Sequence, residues 1–460
     1  MRYRGFWVQL AVLALAFPQL LSGAEPARPQ SVHVATFRCD VTPPMGEPIY
    51  SSYRPLSVVE HPLLAKGIVL AWSERRYVLC VLDWCELCNA SYTRFRTLLA
   101  EAAGTEAACV AVHTVHQHTA PMADAEAMRL LQTLDDPPPH PRPETIEEAA
   151  QRVARAVRDA VGRFVSVDRL GLGQARVHQV ASTRRVKTAD GKILIRWSRC
   201  TDPKLRAMPE GPIDPYLKTL TLARGDQPVV RLHYYATHPQ SFYGDPRASY
   251  DFPGMAREQL EQEEGVFQMY FTGCGGDVTA GKYNDGSREA RDRLARRLLA
   301  GMKASIAATR YEPIQSLQWR TAAVVLPART DPGFRIEDFQ ARMMNPQLPA
   351  ATRIYNGAMR IVAAQRAHVP YELTALMING ASVLHLPGEC MVEFQRFAQH
   401  ERPDEFVAVA AYGDCAPGYI CTEAAFAEGG YEPRDSGVAP RSEAILKKAI
   451  RQLLGTHGPD

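Results

Sequence analysis

The sequence lacks a membrane-spanning segment after its amino-terminal apolar run, because no later stretch is both long and apolar enough for a transmembrane helix. It also lacks a basic stripe: the formal net charge is only +3 at pH 7, and the lysines and arginines are dispersed along the chain. Internal repeats, low-complexity tracts and long linkers are absent too. Composition therefore argues against a nucleic-acid partner and favours a small molecule.

The amino terminus has the pattern of a signal peptide. Met1–Arg4 is basic, Phe6–Leu21 is largely apolar, and Ser22–Ala24 supplies small residues at the usual cleavage spacing. The apolar run is too short to span a bilayer comfortably, and no cysteine at the cleavage point offers a site for a lipid. We expect residues 1–24 to be removed and the remainder to be exported to the periplasm or the extracellular space.

An exported chain with ten cysteines can form disulfides, although spacing alone does not give their connectivity. Cys415 and Cys421 are close enough in sequence to pair across a loop. Cys85 and Cys88 resemble a redox or metal pair, but no second pair follows at zinc-finger spacing. The cysteines of that pair are therefore expected to be buried structural residues.

Alternating strand and helix patterns predict a mixed α/β fold of layered sheets and helices in one large domain, residues 25–460. The hydrophobic content of 46% suffices for a large core. The chain opens with a β-β-α-β pattern, and a capping-box spacing at Thr145–Glu148 predicts the start of a long helix. Asn379–Gly380 predicts a hairpin between strands at 371–378 and 381–386. Further helices are predicted at 288–307, 336–344, 352–365 and 442–454.

Polar side chains occur where several predicted strands end. His116 and His118 follow a short apolar strand, and alternation would place both rings on one side, as a metal site requires. His238 and Glu389 follow other strands, while His113 lies within a strand and is expected in the core. Asp83 also ends a strand, where it would either begin the next helix or serve a site. These positions predict a metal site at strand ends.

A glycine-rich exit at 272–281 suggests tight turning or close backbone approach to a ligand. It is not a phosphate-binding P-loop, because no Gly-Lys-Ser/Thr follows, and it lacks the dinucleotide fingerprint. Asp277 within it would be either a turn residue or a site residue. Glycine content alone therefore assigns no ligand.

Five short blocks follow one another in a fixed order: His116–Pro121 (His-Gln-His-Thr-Ala-Pro), Thr237–Ser241 (Thr-His-Pro-Gln-Ser), Gly275–Thr279 (Gly-Gly-Asp-Val-Thr), Pro387–Glu389 (Pro-Gly-Glu), and Tyr419–Thr422 with Tyr431–Glu432 (Tyr-Ile-Cys-Thr…Tyr-Glu). Together they resemble the catalytic domain of the neutral/alkaline ceramidases. In that family the blocks read His-Thr-His-Ser-Gly-Pro, His-Pro-Thr-Ser, Gly-Asp-Val-Ser-Pro-Asn, Pro-Gly-Glu-Phe and Tyr-Ile-Thr-Thr followed by Tyr-Glu. The resemblance covers most of the chain after the signal peptide.

The resemblance implies a zinc-dependent amidohydrolase with one zinc ion per chain. Its implied zinc ligands are His116, His238, Glu389 and Tyr419. His118, Arg184 and Tyr431 match residues that line the family's substrate site; the match at Arg184 is the short segment Thr183-Arg184-Arg185 against Asn-Arg-Ser. Two histidines, a carboxylate and a phenol form a donor set that suits zinc. The expected substrate is a small or lipid-like N-acyl compound.

Two departures separate this chain from the family. Thr279 stands where the family has its nucleophile-position serine, and the added methyl group stiffens the side chain and crowds attack. Ceramidases also continue into a carboxy-terminal immunoglobulin-like domain, whereas this chain ends soon after the tyrosine block. Two alternatives therefore stay open: a hydrolase of the same fold acting on another ester, a lactone or a glycan-linked amide, and a non-catalytic metal-containing binding protein.

Overall fold

The computed structural model describes residues 31–456, together with Met1 and Gly5. The predicted signal peptide thus lies outside the described residues, apart from those two positions. Along the described part of the chain, strands and helices alternate and three larger sheets form.

The first sheet has five strands and carries the strand that leads into the histidine block. In spatial order the strands are Val110–Thr114, Arg75–Leu82, Leu64–Trp72, Val32–Asp40 and Val165–Val167. Neighbours pair antiparallel, except that Val110–Thr114 runs parallel to Arg75–Leu82. The helices Asn89–Ala103 and Pro143–Val161 pack beside each other and against this sheet.

The second sheet carries His238 just beyond one of its strands. Its strands, in spatial order, are Phe267–Thr272, Gln227–Tyr235, Tyr216–Arg224, Arg169–Arg176 and Arg310–Pro313. The helices Asp251–Glu264 and Arg288–Ala307 pack against each other and against strands of this sheet. Because Phe267–Thr272 and Gln227–Tyr235 are parallel, His238 and the glycine-rich exit lie at the same edge.

The third sheet contains the predicted hairpin. Its strands are Leu317–Val324, Tyr371–Ile378, Ala381–His385 and Val407–Ala410. Asn379 adopts a φ of 52°, as the predicted Asn-Gly turn requires. The helices Val392–Glu401 and Ser442–Leu454 pack together against strands of this sheet.

Two apolar cores fill the space around the sheets. Alternate residues of Leu64–Trp72 face different cores, with Val69 in one and Ile68 and Leu70 in the other. A strand with both faces covered has no need of a polar face, which explains its nearly continuous apolar sequence. The prediction of one large mixed α/β domain is confirmed: residues from Ser31 onward form one compact unit.

Shorter elements connect these sheets and hold the site. They comprise the strand pairs Val58–Val59 with Arg247–Ala248, Glu86–Leu87 with Met122–Ala123, Ser182–Thr183 with Val278–Thr279, Arg185–Lys187 with Ile193–Ile195, and Glu389–Cys390 with Tyr419–Ile420, and the helical segments Ala107–Cys109, Ala125–Leu131, Pro203–Ala207, Ile336–Met344, Ala350–Arg353, Ile354–Met359, Arg360–Gln365, Glu423–Glu428 and Tyr431–Asp435. No helix within residues 31–456 is long and apolar enough to cross a membrane.

Three local predictions need correction. The long helix begins at Pro143, since proline suits the first helical position, and Thr145 therefore lies inside the first turn instead of forming a capping box. The helix predicted at 352–365 is three consecutive segments, of which Ile354–Met359 is a wide π-helix. All ten cysteines lie in the described part and are free thiols, so Cys415 and Cys421 do not form a bridge.

Candidate metal centre and cavity

His116 enters the site through a strained backbone. The strand ends at Thr114, and His116 has a φ of 72°, in the left-handed region that non-glycine residues seldom adopt. The rings of His116 and His118 do meet, with centroids 4.9 Å apart, but through this turn and not through strand alternation. His116 Nδ1 donates to the Cys85 carbonyl oxygen at 2.8 Å, which leaves Nε2 as the acceptor of a neutral ring.

His238 is oriented in the same way. It forms a parallel bridge with Thr279, and its Nδ1 donates to the carbonyl oxygen of Gly275 at 2.6 Å. The Nε2 atom of the neutral ring is therefore also an acceptor. A metal-binding histidine commonly donates its other nitrogen to a backbone carbonyl, and both rings have this arrangement.

Glu389 brings a third acceptor to the same point. Its Oε2 atom lies 3.1 Å from Nε2 of His116 and 2.9 Å from Nε2 of His238, and all three side chains are buried. Despite these distances, Oε2 has no hydrogen-bond partner of acceptable geometry among the described residues. When both histidines are neutral, three lone-pair atoms face one another here, and a cation between them would bind all three.

The donor set therefore fits a metal ion. The ligand atoms of His116, His238 and Glu389 lie within 4.8 Å of one another. Cys85, His116 and His118 form a second geometric group, but Cys85 Sγ lies 3.8 Å from His116 Nδ1, the nitrogen that already donates to a carbonyl. The first group is thus the better site, and its nitrogen and oxygen donors suit zinc.

The charge states in this cluster follow from burial and proximity. Burial lowers the pKa of His238 to about 4, and the nearby Arg184 guanidinium lowers it as well. Burial also opposes the charged form of His116, but the Glu389 carboxylate outweighs it and raises that pKa. Burial alone would raise the pKa of Glu389, yet the two histidines hold it well below its usual range. Glu389 is therefore a carboxylate, as a metal ligand must be.

Tyr419 is placed beside this cluster by strand pairing. In the parallel pair Glu389–Cys390 with Tyr419–Ile420, Glu389 lies opposite Tyr419, and the Tyr419 ring stacks on His238 with centroids 6.3 Å apart. Its hydroxyl accepts a hydrogen bond from Arg184 Nη1 at 3.0 Å. The structure thus brings together all four residues predicted as ligands.

Arg184 lies between the cluster and the second tyrosine. It is buried, its Nη2 is 3.2 Å from the His238 ring nitrogens, and its guanidinium packs against the rings of Tyr419 and Tyr431. Glu432 holds the far side of the guanidinium, with Oε1 3.5 Å from Arg184 Nε. Burial raises the pKa of Tyr431 well above its usual value, so that its hydroxyl keeps its proton.

His118 occupies the other flank of His116. Its Nε2 atom lies 3.3 Å from Nε2 of His116, and its ring packs edge-on against Tyr50. Its Nδ1 has no hydrogen-bond partner among the described residues. His118 therefore has one ring nitrogen free for a substrate or water.

Thr279 does not reach the cavity. Its side chain is fully buried, and its hydroxyl accepts a hydrogen bond from the Gly281 amide at 3.2 Å. Its backbone pairs with Ser182 on one side and His238 on the other. Thr279 thus ties together the segments that carry Arg184 and His238.

The cluster opens into a cavity of about 550 Å³. Its wall includes the predicted residues His116, His118, Arg184, Glu389, Tyr419 and Tyr431, and also the unpredicted residues Glu86, Tyr355 and Asp435. Burial and, to a lesser extent, the Glu389 carboxylate raise the pKa of Glu86 to about 8. The sequence signal at Glu86 is a charged residue between two cysteines that are expected to be buried.

Tyr412 is another residue that sequence patterns did not single out. It lies just beyond the strand Val407–Ala410, with a φ of 61°, and its ring stacks on His116 with centroids 4.4 Å apart. His113, by contrast, is buried as predicted and donates from Nδ1 to the Ala411 carbonyl oxygen at 2.7 Å. Tyr412 therefore fixes the face of His116, and His113 belongs to the core.

Two polar residues at strand exits have structural roles. Asp83 forms a two-pronged ion pair with Arg257, at 2.8 Å and 2.9 Å, and both side chains are buried. It neither begins a helix nor lines the cavity, so both expectations for it were wrong. Asp277 accepts from the Val392 amide at 2.9 Å, at the first residue of the helix Val392–Glu401.

Two solved ceramidase structures have the same architecture. Neutral ceramidase from Pseudomonas aeruginosa aligns with a TM-score of 0.68 and 16% identity, over 94% of this chain and 77% of that chain. A ceramidase complexed with C2 aligns with a TM-score of 0.69 and 16% identity, over 94% and 77% of the two chains. No family model matches the sequence, and no curated protein matches it at a significant level. At this identity the likeness establishes the fold: the chain has the neutral ceramidase fold, as its motif order predicted.

Proposed function

We propose that this protein is an exported zinc-dependent hydrolase that cleaves an N-acyl amide bond, with His116, His238, Glu389 and Tyr419 as the zinc ligands. One observation carries the proposal: Glu389 Oε2 lies 3.1 Å and 2.9 Å from the Nε2 atoms of His116 and His238 in a buried site, while both histidines donate from Nδ1 to backbone carbonyls. Export follows the signal-peptide pattern and cleavage near Ala24.

A bound zinc ion would supply Lewis acidity, lowering the pKa of a bound water and polarising the acyl carbonyl. Around it, Arg184 and Tyr431 orient the acyl oxygen, because both carry hydrogen-bond donors next to the ligand cluster. His118 handles the proton that passes from the attacking water to the departing amine, through its unpartnered ring nitrogen. The C–N bond breaks as the amine nitrogen gains that proton.

Thr279 acts in this scheme as a positioning residue. Its hydroxyl is bonded to the Gly281 amide and its side chain does not line the cavity, which disfavours attack on a substrate carbonyl. Its backbone instead holds the strand pair next to Arg184 and the bridge to His238. This placement supports attack by water, without a covalent enzyme intermediate.

The test measures metal and turnover together. Purified protein should contain one zinc ion per chain by mass spectrometry, and His238→Ala should lose both the metal and amide hydrolysis. His178→Ala is the matched control, because His178 is exposed and far along the chain from the cluster. A metal-free wild type that hydrolyses amides, or His238→Ala with full activity, would contradict the proposal.

The same preparations distinguish the alternatives. A panel of one amide, one ester and one lactone, each with the same acyl chain, identifies the bond that is cleaved. Preferred ester or lactone hydrolysis would assign the same metal centre to a different bond. Bound zinc with no hydrolysis of any member, together with saturable ligand binding, would assign a binding protein.

A further inference from the structure

One side of the cavity is formed by hydrogen-bonding side chains that no part of the proposed hydrolysis uses. They come from three distant segments of the chain and are termed the polar wall: Glu86, Thr352, Tyr355, Asn356 and Asp435. The π-helix Ile354–Met359 provides two of these residues, and such helices are frequent at functional sites. The fold thus brings polar residues from three segments into the lining of one cavity.

The two carboxyl groups of the polar wall accept few hydrogen bonds from the described residues. Glu86 is only 2% exposed, and the sole side-chain hydrogen bond to it from the described residues is the weak one from the Cys88 thiol, at 3.7 Å. Asp435 Oδ2 has no hydrogen-bond partner in the described part of the chain. Neither residue forms a salt bridge there. Buried carboxyl oxygens without donors are unfavourable, so this surface is suited to a ligand that supplies donors.

Arg360 is the nearest buried arginine, and its donors are used elsewhere. They go to the Pro417 carbonyl at 3.2 Å, the Asp435 carbonyl at 2.6 Å and the Tyr355 hydroxyl at 3.1 Å. Arg360 therefore fixes the ring of Tyr355 and the backbone at Asp435, and it donates no hydrogen bond to either side-chain carboxyl group.

The cavity mouth has a different character. Trp197 and Tyr243 are 50% and 57% exposed, and with Phe242 they form an aromatic rim. Large exposed aromatic side chains suit an acyl chain, because they bury apolar area on contact. A hydrocarbon chain laid on the polar wall would instead remove water from Glu86 and Asp435 without replacing it.

We propose that the polar wall binds the amine half of the substrate through hydrogen-bond donors, either hydroxyl or ammonium groups, so that the substrate is an N-acyl derivative of a short polar amine. This inference rests on the proposed amide hydrolysis. It assigns the aromatic rim to the acyl chain and the polar wall to the group that leaves. A second long hydrocarbon chain, such as that of ceramide, fits this division poorly.

The test compares substrates that share one acyl chain. N-octanoylglucosamine offers hydroxyls, N-octanoylethylenediamine offers an ammonium, and N-octanoylhexylamine offers neither. We expect the wild type to prefer the polar amides over the hexylamide by at least about tenfold in kcat/KM, since a site built for donors rejects a ligand without them. Equal or better hydrolysis of the hexylamide, or of ceramide, would overturn the inference while leaving the amidase proposal intact.

Substitutions in the polar wall test whether it causes the preference for polar amides. Glu86→Met should lower kcat/KM for the polar amides by about tenfold and leave or improve the hexylamide. Glu86→Gln should affect the diamine more than the glucosamine derivative if an ammonium is the natural donor, and both equally if hydroxyls are. Glu148→Met, at an exposed helix position, is the matched control. An equal loss on all three substrates would indicate a structural role and contradict the proposal.

A binding measurement separates this inference from the proposed function. Free glucosamine and ethylenediamine are titrated calorimetrically into wild type, Glu86→Met and Asp435→Asn, the last variant providing a second test if Glu86→Met does not fold. Binding that depends on these residues supports the polar wall even if no amide is hydrolysed. The protein could also hydrolyse amides while neither amine binds and both variants keep the substrate preference of the wild type. That result would contradict the polar-wall inference and leave the amidase proposal intact.

Discussion

Glu389 and Tyr419 lie directly opposite each other in a parallel pair of two-residue strands, so that backbone hydrogen bonding sets the distance between a carboxylate and a phenol. Such pairing orients side chains more rigidly than a loop does. The two residues are thirty positions apart in sequence, and they follow two neighbouring parallel strands of the third sheet, Ala381–His385 and Val407–Ala410. This pairing therefore places Tyr419 beside the candidate metal cluster of His116, His238 and Glu389.

Replacing Tyr419 by phenylalanine should weaken metal binding while the fold persists. The ring that stacks on His238 is kept, but the oxygen that accepts from Arg184, the proposed ligand atom, is lost. We expect at least about tenfold weaker zinc retention against a chelator, and a stability loss of about 1–3 kcal/mol from the unpaired guanidinium donor. Tyr216→Phe, at an exposed position, is the control. Unchanged zinc affinity with lost turnover would show that Tyr419 contacts substrate instead.

The ion pair between Asp83 and Arg257 predicts a stability effect without a metal effect. Both side chains are 1% exposed, and Asp83 also accepts from the Leu64 amide at 3.0 Å. Asp83→Asn leaves the buried guanidinium with only the Glu258 carboxylate, which accepts from its Nε at 2.8 Å, and should cost up to about 3–5 kcal/mol in urea unfolding. Glu147→Gln breaks the exposed pair with Arg94 and should cost less than about 1 kcal/mol. A lower zinc content in folded Asp83→Asn protein would contradict this prediction and show that Asp83 supports the metal site.

Long amphipathic helices and the hairpin were predictable from sequence because their signals are local. The helices Arg288–Ala307 and Ser442–Leu454 have the predicted bounds, and Ser287 caps the first of them by accepting from the Ala290 amide. The Asn379 turn likewise needs only its own two residues. Where the periodicity stays helical but the hydrogen bonding changes, as in Ile354–Met359, the sequence pattern gave no sign.

The site was only partly predictable because its members are distant in sequence. The order of the motifs predicts the ligand set, whereas local spacing does not, because His116 and Glu389 follow strands of different sheets. Glu86 and Asp435 match no motif, and each resembles an ordinary surface carboxylate until burial is known. Only the packed fold brings Glu86 and Asp435 to the same cavity.

His233 should make stability depend on pH. Burial lowers its pKa to about 4, and its ring bonds to Thr219 and Gln268 as a neutral group. Between its folded value and its ordinary value of 6.5, the unfolded chain binds a proton that the folded chain does not. The contribution of His233 to the free energy of unfolding is therefore fully present above pH 6.5. It falls by about 1.4 kcal/mol per pH unit as the pH drops towards 4.

The comparison with His233→Gln isolates this effect. Asp414, whose pKa burial raises to about 7, contributes the opposite slope, because its buried carboxyl resists ionisation as the pH rises. That contribution is shared by wild type and variant. Urea unfolding at about pH 7 and pH 5 should thus show the wild type losing more stability than the variant on acidification. Equal losses would mean that His233 stays protonated or solvated in the folded protein.

Substitutions of Thr279 distinguish attack by water from a mechanism with a covalent enzyme intermediate. Thr279→Val removes only the hydroxyl, which accepts from the Gly281 amide and does not face the cavity. We expect a stability loss of about 1 kcal/mol from the unpaired amide and less than about tenfold loss in kcat. Removal of a true nucleophile costs on the order of a thousandfold or more. Thr279→Ser retains the hydroxyl and should restore both values. Steady-state kinetics and thermal unfolding measure these two effects. A thousandfold loss of kcat in Thr279→Val, with wild-type kcat in Thr279→Ser, would establish a covalent role.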